Sequence, residues 1–448
     1  MKFFIYSVLA ILLIVIIGGA VVAFLTLEGT APVITPIVIP DRLGKRIHIE
    51  AEVMDEGRGL KEVRCFLSQG KKTIELEPKI FPALSWWHGS DAKRVRINWG
   101  AMLSEYGLTE GDAQLILTAY DYSWRNSLKG NSTTYKKDVR IDFTPPSVAI
   151  KSIFHNINTG GAGMVSYAAN EPLARTGVWV NELFFPAYKV NQEKDYAALI
   201  AVPFDAKPPI QIVVEAQDIA GNSIKLNVPN KIAYKPIKKD VINLSDNFIA
   251  SKALELSSHY SELKGNPLEM FLQINKTIRQ KNDDEIRSIT LQHTEPSFLF
   301  QRPFLRLPNA QQRAGFADER HYIYQGKEID VTNHMGVDLA SLEHAPIPAA
   351  NRGRVVFVGY LGIYGNLVII DHGMGLFSLY AHLSEFKTVP NNMVEQGDVI
   401  GLTGMTGLAG GDHLHYGMLI NGIYVNPIEW WDAKWLQERI FNNLHGER

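Results

Sequence analysis

Residues Phe3 to Leu27 contain no charged side chain, and no other stretch limits so strictly what the chain can become. At 1.5 Å per helical residue this run exceeds the roughly 30 Å hydrocarbon core of a bilayer, and inside lipid a single segment can satisfy its backbone only as a helix. The sequence therefore predicts a retained transmembrane anchor over residues 1–29. Lys2 and the terminal amine lie on the cytoplasmic side, and everything after Glu28 lies outside. The alternative is a cleaved signal peptide, but the run is longer than a usual signal core and no clear small-x-small site follows it.

The remaining composition is that of folded domains. The 448 residues suffice for two to four domains, and 45 basic against 47 acidic residues leave a net charge of −2. No basic cluster offers a nucleic-acid surface, so no nucleic-acid partner is expected. Cys65 is the only cysteine, so no internal disulfide can form and the exported part must be held by its cores.

From about residue 30 to 143, alternating runs such as Arg46–Val53 and Ala113–Ala119 predict strands separated by turns. A second such unit spans 144–238, beginning at Thr144-Pro145-Pro146. The two share a faint repeat, Ala119-Tyr120-Asp121-Tyr122-Ser123-Trp124-Arg125-Asn126-Ser127 against Ala216-Gln217-Asp218-Ile219-Ala220-Gly221-Asn222-Ser223, which resembles the late turn of bacterial immunoglobulin-like modules. Asp121 and Asp218 are either calcium ligands or turn caps, and capping is the simpler account. Trp86 and Trp87 suit sugar stacking or, more simply, packing at a sandwich core or rim.

After Lys239 the pattern turns helical and predicts a connector over 239–300. One helix starts near Ser245-Asp246, with Gly265 able to end it; a second is capped by Asn266 with Pro267 at its first position, and carries Leu268, Phe271, Leu272 and Ile278 on one face. The connector reads as a spacer, with a regulatory cover or partner-binding element as the functional alternative. Trp430, Trp431 and Trp435 read as packing for a closing helix.

The chemistry lies in 301–448, in His334-Met335-Gly336-Val337-Asp338, Tyr380-Ala381-His382-Leu383 and Asp412-His413-Leu414-His415. Imidazole and carboxylate are what a catalytic zinc uses, with three protein ligands and a fourth position for water. His334 and Asp338 can converge from a bend or strand end. Alternation on a strand puts His413 and His415 on one face and Leu414 toward a core, so one of the pair can complete the set. His382 and the other histidine are then left for proton transfer. Between these pieces, Gly353-Arg354-Val355, Tyr364-Gly365-Asn366, Gly397–Gly401 and Thr403–Gly407 read as strands and tight turns of a compact antiparallel sheet.

Residues 316–431 resemble the lysostaphin-type (LytM-like) zinc metallopeptidases, which cut peptide cross-links of bacterial cell walls. The matching pieces are His334 to Asp338, Gly365-Asn366, Tyr380 to Ser384, Gly401, Gly404, Thr406-Gly407, His413 to His415 and Val425-Asn426-Pro427. The resemblance implies zinc on His334, Asp338 and His415, with His382 and His413 as the catalytic pair. Where such proteins commonly read Gly-Thr-Pro-Val, this chain has Glu343-His344-Ala345-Pro346-Ile347, which leaves His344 as a surface loop residue or a substrate contact. His372 reads as structural.

The expected protein is mainly β: a transmembrane helix, two immunoglobulin-like β-sandwich modules, a helical connector and a lysostaphin-like antiparallel β peptidase domain. Its expected place is the inner membrane, single-pass, with the bulk in the periplasm. Its expected substrate is the peptide part of peptidoglycan, with an envelope protein partner admissible through the β modules or connector. The rival reading is a non-catalytic regulator of wall hydrolases on the same fold, against which all five site positions are filled. A purely structural envelope tether leaves the histidines unexplained.

Overall fold

The computed structural model describes residues 2–85, 87–153, 155–190, 193–292 and 294–445. Strands dominate, and the chain divides into two compact units, residues 1–146 with 217–223 and residues 147–216 with 224–448.

In the first unit the helix Lys2–Thr26 precedes a β module. Among the described residues, its Phe3–Thr26 stretch is the one segment long and apolar enough to cross a membrane. The module has a three-stranded sheet (Val33–Val38, Arg46–Met54, Arg94–Met102) and a six-stranded sheet centred on Leu60–Gln69, Gly111–Asp121 and Ser132–Ile141. Period-two alternation sends Ile47, Ile49, Ala51 and Val53 from one sheet and Val63, Cys65, Leu67, Leu115 and Leu117 from the other into a single core. Cys65 is buried there as a free thiol, pushed up to about 12 by desolvation, and so behaves as an apolar side chain.

Asp121 spends its carboxylate on the turn that follows it. Its Oδ1 accepts from Ser123 N at 2.9 Å and Asn131 N at 2.7 Å, and its Oδ2 from Asn131 Nδ2 at 2.8 Å. Asp218 does the same with Asn222, whose backbone N and Nδ2 both donate at 2.9 Å. Turn capping accounts for both. Trp87 stacks on Trp124 at the module's rim, and Trp86 lies outside the described residues.

In the second unit, two four-stranded sheets centred on Ala162–Ala169 with Asp195–Ala201, and on Leu173–Val180 with Ile212–Asp218, are followed by the strand Asn230–Ala233. The connector expected to be helical from residue 239 opens instead with a strand, Lys239–Leu244, which pairs in parallel with Glu319–Tyr324. Its partner lies some 80 residues downstream, so six residues of weak alternation carried no local sign of it. The next helix starts where expected, Ser245 Oγ accepting from Phe248 N at 3.2 Å, but it stops at Ser257, well short of Gly265. Asn266 opens the second helix with a complete capping box, Asn266 Oδ1 accepting from Glu269 N and Glu269 Oε2 from Asn266 N, each at 3.0 Å. This helix runs through a π turn at Ile274–Ile278 to Gln292 and buries Phe271, Ile274, Ile278 and Ile286.

The C-terminal sheet has eight strands, in the order Gln311–Ala314, Val337–Ala340, Leu414–Ile420, Leu376–Leu383, Asn366–Asp371, Gly353–Tyr360, Met393–Val394, with Ile423–Val425 also on Leu414–Ile420. All of these pairings are antiparallel. One core runs from Met164 and Leu199 of the preceding sheets to Tyr380, Tyr416 and Trp430, so the sequence segments 144–238 and 301–448 are packed through shared apolar side chains. Trp430 is fully buried against Phe304 and Trp435, as its packing role requires.

Glu429 sits at this shared packing. Its carboxylate accepts from Asn158 Nδ2 at 3.0 Å and Ala162 N at 3.2 Å, and burial pushes it up to about 7, outweighing Lys235 and Arg439. The folded state therefore keeps a proton that the unfolded chain releases near 4.5. This contribution is complete below that value and is lost as pH rises through about 7, roughly 3 kcal/mol over that interval. The melting temperature of the unit should accordingly fall between pH 5 and pH 8, and Glu429→Gln should flatten the dependence. Identical slopes in the two proteins would show that Glu429 is ionised in the fold.

Candidate metal centre

The site is built at one end of the eight-stranded sheet by three neighbouring strands. Asp338 on Val337–Ala340 is directly opposite His415 on Leu414–Ile420, and directly opposed residues of an antiparallel pair share a face. His334 precedes the first of these strands. Its carbonyl and N–H are tied to Ala317 N at 2.7 Å and Asp318 O at 2.9 Å, and its Nδ1 donates to Gly315 O at 2.7 Å. That bond leaves the lone pair on Nε2, which faces the cluster.

His334 Nε2 is 2.9 Å from Asp338 Oδ1 and 2.9 Å from His415 Nδ1, and His415 Nδ1 is 3.0 Å from Asp338 Oδ1. All three residues are buried and their ligand atoms fit around one ion. Two imidazoles and one carboxylate in a triangle this tight are the donor set of a site with three protein ligands and one open position. A cluster of lone pairs of this kind, removed from water, favours a cation at its centre.

His382 reaches the cluster by a local distortion. Residues 380 and 383 pair with 368 and 366, so Ala381 and His382 together oppose Leu367, and His382 takes a φ of +67°. In a regular strand His382 would point away from the face that Ala381 and His415 share; the bulge re-aims it. Its Nδ1 donates to Thr406 O at 2.8 Å, leaving Nε2 as the acceptor. Thr406 comes this close because Gly365 and Gly407 lie back to back: a Cβ on Gly365 would stand 2.4 Å from Thr406, and one on Gly407 2.3 Å from Gly365 N. Thr406 Oγ1 further accepts from Asn366 N and donates to Leu383 O, each at 2.9 Å. The Gly-Asn and Thr-Gly pairs of the sequence therefore orient His382.

His413 stands just before its strand, Nδ1 donating to Gly411 O at 2.8 Å and Nε2 lying 3.5 Å from Asp338 Oδ1. The rings of His382 and His413 are 4.9 Å apart and those of His382 and His415 5.7 Å. Burial works to raise the Asp338 carboxyl, but His334, His413 and His415 together hold it well below the usual range. Burial pushes His415 down to about 4 and, with the charges of His413 and His415, holds His382 well below an ordinary imidazole. Burial works to lower His413, but the hydrogen bond and charge of Asp338 together with the Gly411 carbonyl raise it.

Two groups went unnoticed in the sequence. Arg320 Nη2 donates to Asp338 Oδ2 at 2.5 Å, occupying the oxygen that the triangle does not use. Burial works to lower its pKa, but the charge and hydrogen bond of Asp338 together with Tyr322 and Asp240 raise it. Tyr364 lies beside His415, ring centroids 5.8 Å apart, and its hydroxyl donates to Asp283 at 2.7 Å. A lone arginine in an alternating strand and a tyrosine in a loop carry no motif by which either could be found.

His344 stays outside the donor cluster. It is exposed, with φ +53° where the common pattern has glycine, and Nδ1 lies 3.0 Å from Ser384 Oγ. His372 is fully buried, bonded to Arg352 O at 2.8 Å and Ser378 Oγ at 2.7 Å and pushed down to about 4 by burial, which is a structural role. Over the cluster is a cavity of about 40 Å³ lined by Arg279, Arg320, His334, Tyr364, His382 and His415. Larger cavities, such as the one lined by Arg58, Tyr122 and Trp124, lie elsewhere among the described residues, but donor chemistry decides the site.

An antiparallel sheet with a His-Asp-His cluster and two further imidazoles at its end is the layout of a metallopeptidase domain. Residues 332–427 match Peptidase family M23, and this stretch is an M23 peptidase domain. The DD-carboxypeptidase/endopeptidase Mpg of Neisseria meningitidis is 46% identical over 95 residues, 21% of this chain and 22% of that protein. The peptidoglycan DD-endopeptidase ShyC of Vibrio cholerae is 35% identical over 128 residues, 28% of this chain and 29% of that one. The chain thus spans less than a third of the length of either relative. The catalytic domain of lysostaphin from Staphylococcus simulans superposes with a TM-score of 0.25 at 24% identity, over 29% of this chain and 98% of that one.

Proposed function

We propose that the protein is a zinc endopeptidase, held in the inner membrane by its N-terminal helix, that hydrolyses peptide cross-links of peptidoglycan outside the cytoplasm. The observation that carries this is the triangle of His334 Nε2, Asp338 Oδ1 and His415 Nδ1, with sides of 2.9 to 3.0 Å. The relatives' DD-endopeptidase names supply the substrate class. In this reading the immunoglobulin-like segments 30–143 and 144–238 act as spacers or as the surface for an envelope partner.

His334, Asp338 and His415 would hold the zinc, which would supply Lewis-acid polarisation of the scissile carbonyl and acidification of water. His382, neutral and oriented by Thr406 O, accepts the proton of the attacking water at Nε2. His413, whose Nδ1–H is fixed on Gly411 O, carries a second proton on Nε2 only as the imidazolium that Asp338 favours, and in that form it stabilises the developing oxyanion as a hydrogen-bond donor. The proton taken by His382 then goes to the leaving amine, so the group ends the cycle as it began.

The test uses the full chain in detergent, loaded with zinc and incubated with intact sacculi. Stoichiometric metal and release of peptide-cleaved fragments in mass spectra are expected. A metal-bearing protein that releases nothing alone, but makes a separate hydrolase active, would instead establish the regulator reading. The anchor is tested separately by the mass of the mature N-terminus, which should retain the apolar run; a terminus beyond Leu27 means that the run is a cleaved signal.

A further inference from the structure

The apolar helix ends on a residue that the adjoining β module grips. Thr26 is 2% exposed and its carbonyl accepts from Trp124 N at 2.8 Å. Leu27 O accepts from Arg125 Nε and Glu28 O from Ser123 Oγ, each at 2.9 Å. One turn earlier Val22 and Ala23 are half-buried, whereas residues 3–20 are exposed throughout. The 122–128 loop is therefore fixed level with the last turn of the helix.

Around this junction the surface is apolar and aromatic. Trp87 stacks on Trp124 with centroids 6.3 Å apart, and the Arg58 guanidinium lies 5.5 Å over the Trp124 ring. Leu84 is 64% exposed, Trp87 46% and Leu128 67%. A cavity of about 680 Å³, lined by Arg58, Lys61, Ala83, Tyr122, Trp124 and Leu128 among others, opens between them. Asn126, Ser127 and Leu128 have φ of 52°, 58° and 70°. Three successive non-glycine residues in the left-handed region hold backbone strain, and the run ends in a leucine left in water rather than in a core.

We propose that this rim, Leu84, Trp87, Trp124 and Leu128, is a membrane contact seated in the head-group layer of the bilayer that the apolar helix enters. The inference rests on the anchor reading. A helix of 24 residues is about 36 Å long against a hydrocarbon core of about 30 Å, which brings its last turn to the interface. Whatever is hydrogen-bonded to that turn is then at head-group depth. Tryptophan suits that layer because its ring is apolar and its N–H polar, the leucines gain by leaving water for the acyl boundary, and the buried Arg58, donating to Tyr122 O and lying over the Trp124 ring, holds that ring in place from beneath. Anchored at a single pass, the module gains a second contact that fixes its tilt on the membrane.

The test is quenching of tryptophan emission in the full chain reconstituted into phosphatidylethanolamine/phosphatidylglycerol vesicles whose acyl chains are brominated near the head group. Part of the wild-type emission should be quenched, and that part should be lost in a Trp87→Phe, Trp124→Phe double variant. Leu128→Asp, at an exposed position, should reduce quenching while the far-UV dichroism stays unchanged, which covers the case of a double variant that fails to fold. An equal quenched fraction in all three proteins overturns the proposal. Emission that is insensitive to bromine but shifts with added glycan chains, in wild type alone, makes the rim a sugar platform and overturns it too. A chain that alkaline carbonate washes off the vesicles sinks the anchor reading and this inference together; a chain that stays on, with quenching unaffected by substitution, sinks this inference alone.

Discussion

His415→Ala should lose zinc and wall-cutting activity together, whereas His413→Ala and His382→Ala should keep stoichiometric zinc and lose about 10² to 10⁴ in turnover. His415 Nδ1 closes the triangle with His334 Nε2 and Asp338 Oδ1, and two remaining donors cannot define a tight tetrahedral site. His413 stands 3.5 Å from the shared carboxylate oxygen, and His382 spends its Nδ1 on Thr406 O, so neither removal opens the triangle. Metal content by mass spectrometry and fragment release from sacculi are measured on the same samples. Loss of metal from His413→Ala with retention in His415→Ala reverses the assignment. Full activity and full metal in all three variants removes the mechanism.

Arg320→Met should weaken zinc binding by about 10- to 100-fold, read by competition with a chelator rather than by turnover. The guanidinium holds Asp338 Oδ2 at 2.5 Å and so turns Oδ1 toward the two imidazoles. Repulsion between Arg320 and a bound cation acts in the opposite sense, but the guanidinium sits on Oδ2, the oxygen turned away from the triangle, so the carboxylate would stand between the two charges. Arg320→Lys should recover part of the affinity, since it keeps the charge and loses the planar fork. Affinity that is unchanged or tighter in Arg320→Met would mean that the arginine merely packs beside the ligand.

Some of this protein could be read residue by residue. Asn266-Pro267 announces a helix start because a cap acts on backbone groups two or three positions away, and Ser245 does the same for the helix before it. The strand Lys239–Leu244 could not be read, because its pairing with Glu319–Tyr324 depends on residues far along the chain. Asp338 and the pair His413 and His415 were legible as zinc-type donors from their residue types and spacing, His415 was singled out only by the family resemblance, and the facing register of Asp338 and His415 comes from the pairing of two strands.

The His382 position shows the division most clearly. Its presence in Tyr380-Ala381-His382-Leu383 is a matter of sequence, but a regular strand would aim it away from the site. Only the bulge opposite Leu367 and the approach of the Gly365 and Gly407 backbones bring it round. Arg320 and Tyr364 joined the site with no sequence sign at all, since each gains its role from a partner 18 or more residues away in the chain. By itself the sequence determined what local or compositional physics can decide: the uncharged 25-residue run, the alternation of the strands, the helix caps, and the residue types able to bind a metal. Tertiary structure alone decided which donor atoms meet within 3.0 Å, which imidazole nitrogen carries the proton, and which arginine steadies the carboxylate, because these depend on strand register and on backbones brought together from distant parts of the chain.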